Sequence, residues 1–235
     1  MKVVQEIRAR LRKLGTKQRA NVSRSFFKTG PGEYGAGDIF LGVTVPELRQ
    51  LATEYQAITL TEVTQLLRST IHEERLLALL IFCRAYTSGD GHIQKRIYEL
   101  YLENTRHVNN WDLVDASAEH IVGAFLLDKS KKPLSALAQS KDLWERRIAV
   151  MATFHFIKRG EFAETLKIAR ILLSDKEDLI HKAVGWMLRE VGKRHLHSED
   201  RFLKEHYREM PRTMLRYAIE RFPEAKRQRY LKGKI

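Results

Sequence analysis

The sequence predicts an all-α protein, an α-solenoid in which helical hairpins stack and leave a concave basic groove. Three observations predict it: apolar residues recur at helical spacing, no convincing run alternates apolar and polar residues, and similar helical segments return every 34–37 residues. We expect a single domain over residues 1–235. Residues 1–45 hold an N-terminal helix or helices and a Gly-rich loop, and residues 46–235 hold the helical repeats.

The N-terminal region begins with a helical pattern and continues into a loop. Helical periodicity runs from Met1 to about Arg19, and Val4, Ile7, Leu11 and Leu14 recur in it at helical spacing. Five of the 13 glycines then fall within residues 30–42, a density that a regular element cannot hold. The segment lacks the Lys-Ser/Thr ending of a phosphate-binding loop, so it is interpreted as a connector.

The rest of the chain consists of amphipathic segments of about ten to eighteen residues, beginning near Pro46 and separated by short polar breaks. Five of them align by their charged and apolar positions, and they are residues 74–78, 111–115, 146–150, 181–185 and 215–219. A period of this size with two helices per unit and no strand indicates HEAT-like or tetratricopeptide-like repeats. The alternative is a non-repetitive bundle whose helix pairs happen to be similar in length.

The charge balance favours a polyanionic partner. The chain has 42 Lys and Arg against 29 Asp and Glu, a net charge of +13, which points to nucleic acid ahead of membrane. A generally basic soluble surface is the alternative. No stretch approaches the roughly 18 apolar residues of a membrane span, and the N-terminus lacks a signal-peptide core, so we expect a cytoplasmic protein. The single cysteine excludes an intrachain disulfide.

The aligned helices and their flanks carry a row of cations of the kind that follows a phosphate backbone. Residues at equivalent repeat positions share a surface, so the row is expected to line the concave groove. Its members are Arg75, Arg146, Arg147, Lys182, Arg189, Lys193, Arg212 and Arg216.

Trp111 and Asp115 are the strongest candidates for chemistry. They lie four residues apart in a predicted helix, so an indole and a carboxylate project from the same face, whereas Asp112 points about 100° away from Trp111. One carboxylate is too little for ordinary glycoside hydrolysis, which uses two. It suffices when the leaving base is already cationic, as in an N3- or N7-alkylated purine, because the protein then stabilises only the sugar cation and holds a water.

Trp186 and Arg147 complete this hypothesis. The indoles of Trp111 and Trp186 attract a cationic sugar, each contributing roughly 0.5–2 kcal/mol. Arg147 holds the phosphate beside the lesion. In the alternative interpretation both tryptophans are core residues, and Asp115 forms a structural salt bridge with an arginine.

With these residues assembled, the chain resembles the DNA alkylation repair enzymes of the AlkD-like family, which are HEAT-like-repeat DNA glycosylases. The similarity runs over most of the chain. Four ordered segments carry it: residues 40–49 (FLGVTVPELR), 110–115 (NWDLVD), 144–149 (WERRIA) and 182–190 (KAVGWMLRE). The length of the loop over residues 30–38 departs from the pattern, so any DNA contact of that loop stays unassigned.

The resemblance implies a monofunctional glycosylase that excises 3-methyladenine- and 7-methylguanine-type bases from duplex DNA. It makes Asp115 the catalytic aspartate, Trp111 and Trp186 the aromatic residues that flank the sugar, and Arg147 rather than Arg146 the active-site arginine. It further implies a monomer that needs no metal or organic cofactor.

Other functions remain open at this stage. A relative that binds DNA structures without glycosylase activity would share the fold and charge, and a protein-interaction solenoid would share only the fold. A metal enzyme based on His195 and His197 is disfavoured, because two histidines are too few for a zinc site and no further ligand is suitably spaced. A lysine Schiff base would require a desolvated lysine, and Lys182 is the nearest candidate.

Overall fold

The computed structural model describes residues 2–235, which form two compact units, residues 2–117 and 118–235. Both units are helical. Across the described residues the only β-type pairing is an isolated bridge between Ile39 and Ile71. The prediction of an all-α fold is therefore confirmed. The prediction that residues 1–235 act as a single domain stays a prediction.

The first unit contains seven α-helices and a short 3-10 helix, Thr105–His107. The α-helices are α1 (Lys2–Leu14), α2 (Lys17–Phe26), α3 (Val45–Glu54), α4 (Leu60–Leu67), α5 (His72–Ser88), α6 (Gly91–Glu103) and α7 (Trp111–Asp115).

The helical pattern expected from Met1 to about Arg19 is divided between two helices, α1 and α2. The chain breaks at Gly15 and Thr16, where Thr16 caps α2 by accepting from the amide of Arg19. Gly15 is required there, because a Cβ would lie 2.5 Å from the carbonyl oxygen of Leu41. Met1, where the predicted helical pattern begins, lies outside the described residues.

The Gly-rich segment forms a loop between α2 and α3, as predicted. Gly32 and Gly37 have φ values of 78° and 86°, in the left-handed region that glycine adopts without strain. Short turn hydrogen bonds hold the loop, including Gly35 N to the carbonyl of Lys28 at 3.1 Å. The loop ends at Asp38, whose carboxylate is directed into the first unit.

Helix α5 lies at the centre of the first unit and is buried on several sides. Beyond its first turn it supplies apolar core residues such as Leu77, Leu79 and Phe82, none of them solvent-exposed. Its first turn contains four consecutive buried polar residues, His72, Glu73, Glu74 and Arg75. Buried charges persist only with partners, so this turn indicates a network.

The second unit contains nine α-helices, a π-helical turn at Glu119–Gly123 and a 3-10 turn at Ile219–Arg221. The α-helices are α8 (Ala124–Leu126), α9 (Lys132–Ala138), α10 (Leu143–Ala152), α11 (Phe154–Ile157), α12 (Ala163–Ile171), α13 (Asp178–Arg194), α14 (Leu196–His206), α15 (Arg212–Ala218) and α16 (Glu224–Leu231).

The repeat segments recognised in the sequence coincide with helices. They fall in α5, α7, α10, α13 and α15, the last segment continuing into the following 3-10 turn. Several helices, among them α7, α8 and α11, are shorter than the ten to eighteen residues expected. In residues 2–235 we find no helix with both the length and the apolar character needed to cross a membrane.

Candidate functional site

The first candidate region lies on α7. Asn110 caps this helix by accepting from the amide of Trp111 through Oδ1 at 2.8 Å. Trp111 opens the helix and Asp115 closes it, so the predicted helical spacing of this pair is confirmed. Both side chains are half-buried. They are thus packed against the protein and still reach its surface.

Aromatic residues of the segment that ends α2 surround Trp111. The ring of Phe27 stacks on the Trp111 indole with centroids 5.2 Å apart and planes inclined by 26°. Phe26 meets the same indole edge-on at 5.7 Å and is 63% exposed. The packing fixes one face of the indole, and Phe26 adds an aromatic edge at the surface beside it.

Asp115 lies close to a buried hydroxyl pair. The Tyr101 hydroxyl is 3.0 Å from the Ser117 Oγ, and neither side chain is exposed. Burial chiefly raises the pKa of Tyr101, against the hydrogen bond with Ser117, and the electrostatic influence of Cys83 and Asp115 acts in the same direction as burial. The phenol therefore stays neutral beside Asp115 at physiological pH.

A network that the sequence did not reveal lies next to α7. The two ring nitrogens of His72 contact two carboxylates: Nδ1 lies 3.0 Å from Asp38 Oδ2, and Nε2 lies 2.8 Å from Asp112 Oδ2. Burial opposes the charged imidazole, but the hydrogen bonds to Asp112 and Asp38 outweigh it and raise the pKa of His72 to about 9. Asp112, expected to point away from Trp111, is thus a partner of His72.

The structure corrects the expected role of Arg75. Its side chain is 3% exposed, pairs with Asp38 Oδ1 and donates to the carbonyl of Ser69 at 3.2 Å. Burial raises the pKa of Asp38, but its contacts with His72 and Arg75 outweigh burial and leave that pKa lowered. Arg75 neutralises this loop carboxylate and is not part of an exposed cationic row.

The second unit holds Trp186 on α13, also half-buried. Its Nε1 donates to Glu190 Oε1 at 3.3 Å, and its ring lies 6.2 Å from that of Phe154. Glu190 also accepts from Lys193 at 2.6 Å and from Arg194 at 3.0 Å. Burial opposes ionisation of Glu190, but the bonds from Lys193 and Arg194 lower its pKa. Trp186 is thereby held by a charged carboxylate.

The adjacent arginines of α10 differ in their surroundings. Arg146 is partly exposed and donates through Nε to Asp175 Oδ2 at 2.6 Å. Arg147 is 5% exposed and donates to the carbonyl of Leu179 at 2.5 Å. The first is an ion pair near the surface, and the second links α10 to the start of α13.

The remaining predicted cations are all in the second unit. Lys182 pairs with Asp178 at 2.7 Å, and Arg189 pairs with Glu220. Arg212 and Arg216 are exposed on α15, and Arg212 donates to the carbonyl of Leu231 at 2.7 Å. Ion pairs this close to solvent are weak, so these cations can exchange partners at low cost.

Histidines 195 and 197 lie where α13 gives way to α14. The Nδ1 atom of His195 contacts Ser198 Oγ at 2.8 Å and accepts from the Ser198 amide, so it caps α14. Among residues 2–235, no three His, Cys, Asp or Glu side chains are grouped so as to hold a metal ion.

Comparison of the whole fold identifies the class as a helical-repeat protein. A predicted DNA alkylation repair enzyme from Enterococcus faecalis has a similar structure, with TM-score 0.68, 17% identity and coverage of 89% of this chain and 97% of that chain. AlkD2 from Streptococcus mutans gives TM-score 0.56 and 19% identity, with coverage of 88% of this chain and 99% of that chain. The smu.31 protein from Streptococcus mutans UA159 gives TM-score 0.56 and 19% identity, with coverage of 77% of this chain and 93% of that chain.

Residues 7–222 match the family described as "DNA alkylation repair enzyme". The chain therefore belongs to the DNA alkylation repair enzyme family, as the four sequence segments indicated. No curated protein matched the chain.

Proposed function

We propose that this DNA alkylation repair protein is a monofunctional glycosylase. It hydrolyses the N-glycosidic bond of N3- and N7-alkylated purines in duplex DNA, acting as a monomer without metal or organic cofactor. The observation that carries the proposal is the pair on α7: a half-buried carboxylate, Asp115, one helical turn after a half-buried indole, Trp111. A protein that only binds DNA would need no carboxylate there.

The chemistry follows from the charge of the substrate. In an alkylated purine the base already carries a positive charge, so the bond between C1′ and the base nitrogen breaks with its electron pair moving to the base. The base leaves neutral, and the sugar becomes oxocarbenium-like. The ionised carboxylate of Asp115 stabilises that cation and orients a water molecule. The water oxygen bonds to C1′, its proton passes to solvent by way of Asp115, and an abasic site remains.

The aromatic and cationic residues supply binding. The Trp111 indole, supported by Phe27, offers a face to a DNA sugar. In the second unit, the Trp186 indole, held by Glu190, is proposed as a further aromatic contact to DNA. Arg147 is proposed for the phosphate beside the lesion, which requires its guanidinium, now 5% exposed, to exchange the carbonyl of Leu179 for that phosphate. The other backbone contacts are assigned to partly or fully exposed cations of the second unit, namely Arg146, Lys182, Arg189, Lys193, Arg212 and Arg216.

The test is release of 7-methylguanine from methylated duplex DNA in the presence of EDTA. Wild type and Asp115→Asn are compared with Asp128→Asn, a matched change at an exposed aspartate. Asp115→Asn should lower release by about a hundredfold or more, the usual loss when one charge-stabilising group is removed. Asp128→Asn should behave as wild type, and all three should bind undamaged duplex equally.

Each of the other outcomes would show that a different part of the proposal is wrong. Equal release by wild type and Asp115→Asn would remove Asp115 from the mechanism. DNA binding without any release by wild type would identify a catalytically silent DNA-structure binder. Loss of wild-type release in EDTA would overturn the cofactor-free reaction.

A further inference from the structure

Helix α7 is too short to be stable, or to keep a defined orientation, without contacts to the rest of the protein. It has five residues, and isolated helices below about twelve residues are marginal in water. Its orientation must therefore come from contacts at its ends and sides. The first of these is the N-cap residue, Asn110, whose Nδ2 donates to Asp38 Oδ2 at 3.1 Å while its Oδ1 caps the helix.

The second contact is made by Asp112, the second residue of α7. Its Oδ1 accepts from the amide of Leu113 at 2.9 Å, and its Oδ2 meets His72 Nε2. His72 Nδ1 meets the same Asp38 oxygen that binds Asn110. The start of α7 is thus held at two points, and both lead to Asp38 at the end of the Gly-rich loop.

The third contact is a run of stacked rings. Trp111 stacks on Phe27, Phe27 stacks on Phe40 at 5.1 Å, and Phe40 stacks on His72 at 4.4 Å. The imidazole of His72 therefore reaches α7 both through Asp112 and through the ring that supports the Trp111 indole. A displacement of His72 therefore changes the orientation of the Trp111 indole in two ways, through the hydrogen bond to Asp112 and through the stacked rings of Phe40 and Phe27.

Both hydrogen bonds of His72 require the imidazolium. Neutral imidazole carries one N–H, so one of the two carboxylates would face a lone pair, whereas the cation donates to both. The charged groups that face His72 are Asp38 and Asp112, with Arg75 on the far side of Asp38. His72 and Asp112 also line a cavity of about 520 Å³.

We propose that His72 is a positioning residue, which holds the start of α7 between Asp38 and Asp112 so that Trp111 and Asp115 keep the direction that base excision needs. The inference rests on the proposed function for what Trp111 and Asp115 do. It also gives the Gly-rich loop a role, because the loop delivers the Asp38 carboxylate to the start of α7.

The position of α7 can be followed without any enzyme assay. Protein labelled with 5-fluorotryptophan gives one ¹⁹F resonance for each of its three tryptophans, and Trp111→Phe identifies the Trp111 signal. His72→Gln should move the Trp111 resonance and leave those of Trp144 and Trp186 in place. His92→Gln, the same change at an exposed histidine of the first unit, should move none.

A parallel measurement tests the consequence for catalysis. Under single-turnover conditions, His72→Gln should lower the rate of 7-methylguanine release by about ten- to a hundredfold, since a misplacement of 1 Å has effects of this size. Affinity for undamaged duplex should not change. If His72 has a purely structural role, His72→Gln should melt at a lower temperature but release base at the wild-type rate when assayed well below that temperature. That result would overturn the proposal.

A wild-type titration covers the case in which His72→Gln does not fold. The Trp111 resonance should stay constant from pH 6 to 7.5 and shift as pH rises through about 9, where His72 loses its second proton. In Asp112→Asn, which removes one carboxylate, this shift should occur at lower pH. A Trp111 resonance that does not titrate in either protein would overturn the proposal.

The two proposals fail separately. If wild type releases no base, the proposed glycosylase activity is wrong, while the Trp111 resonance still decides whether His72 positions α7. If wild type releases base and folded His72→Gln has both a wild-type Trp111 resonance and a wild-type rate, only the role of His72 is wrong.

Discussion

The Nε2 atom of His72 lies 2.8 Å from the Asp112 carboxylate, and this contact joins the first turn of α5 to the first turn of α7. It brings together two residues that neither charge counting nor helical spacing connected. Because the imidazole is buried and also contacts Asp38, its protonation is coupled to the stability of the first unit.

Stability should therefore depend on pH through His72. The pKa of His72 is raised from 6.5 to about 9 on folding, so its stabilising contribution is complete below pH 6.5 and is lost as pH rises to 9. Urea unfolding should show that the free energy of unfolding of wild type exceeds that of His72→Gln by more at pH 6 than at pH 9.5. The excess at pH 6 should be larger than the excess at pH 9.5 by on the order of 3 kcal/mol. His92→Gln is the control, and an equal deficit of His72→Gln at both pH values would contradict the assignment.

Glu199 of α14 should show a related pH dependence in the second unit. Glu199 is 2% exposed, its carboxyl group packs against Gly192 of α13, and burial raises the pKa of Glu199 to about 8. The folded state binds this proton more tightly than the unfolded state, so stability falls as pH rises from about 4.5 to 8. Glu199→Gln stays neutral throughout that range.

The stability of Glu199→Gln relative to wild type should accordingly improve between pH 4.5 and pH 9, by an amount on the order of a few kcal/mol. Chemical denaturation at the two pH values measures it. Glu164→Gln, a change in the α12 carboxylate that pairs with Lys167, provides a comparison in the same unit. A relative stability that is constant with pH would show that Glu199 ionises normally.

Much of the fold was accessible from the sequence because local signals determined it. Apolar spacing and the absence of alternating strands predicted helices, Pro46 marked the start of α3, and glycine density marked the loop. The placement of Trp111 and Asp115 on one helix was also predictable, because their spacing fits a helix, but the shortness of α7 and the half-burial of the two side chains were not.

The buried charge network was not accessible in this way. His72 and Arg75 were hidden because their partner, Asp38, lies on a loop whose path no local pattern determines. Repeat register put Arg75 on a surface, but α5 is buried at its first turn, where a row of polar residues is paired inside the unit. The run from His72 to Arg75 directly before an apolar stretch was the one available signal.

DNA binding should lose salt dependence when an exposed cation of the second unit is removed. Arg216 is exposed on α15, so Arg216→Gln should weaken binding to undamaged duplex equally for all sequences. The slope of log affinity against log salt should fall by about one. Arg96→Gln changes an exposed arginine of α6 that is paired with Glu99 and Glu103, and it should alter the slope less. Fluorescence anisotropy over a salt series measures both, and identical slopes for wild type and Arg216→Gln would exclude a phosphate contact there.

Gly185 should tolerate no side chain, because α13 and α15 approach each other closely at this point. A Cβ on Gly185 would lie 2.5 Å from the carbonyl oxygen of Met214 and 2.5 Å from the Cβ of Tyr217. Gly185→Ala must push the two helices apart, at a cost of about 1–3 kcal/mol, which lowers the melting temperature by roughly 2–4 °C for each kcal/mol. Gly91 opens α6 with nothing within 4 Å of an added Cβ, so Gly91→Ala should leave stability unchanged or raise it slightly. Thermal unfolding of the two variants side by side separates steric conflict from the general effect of replacing glycine, and equal melting temperatures would mean that α13 and α15 are less closely packed. Because Trp186 follows Gly185 directly, the same displacement should also change the fluorescence of that indole.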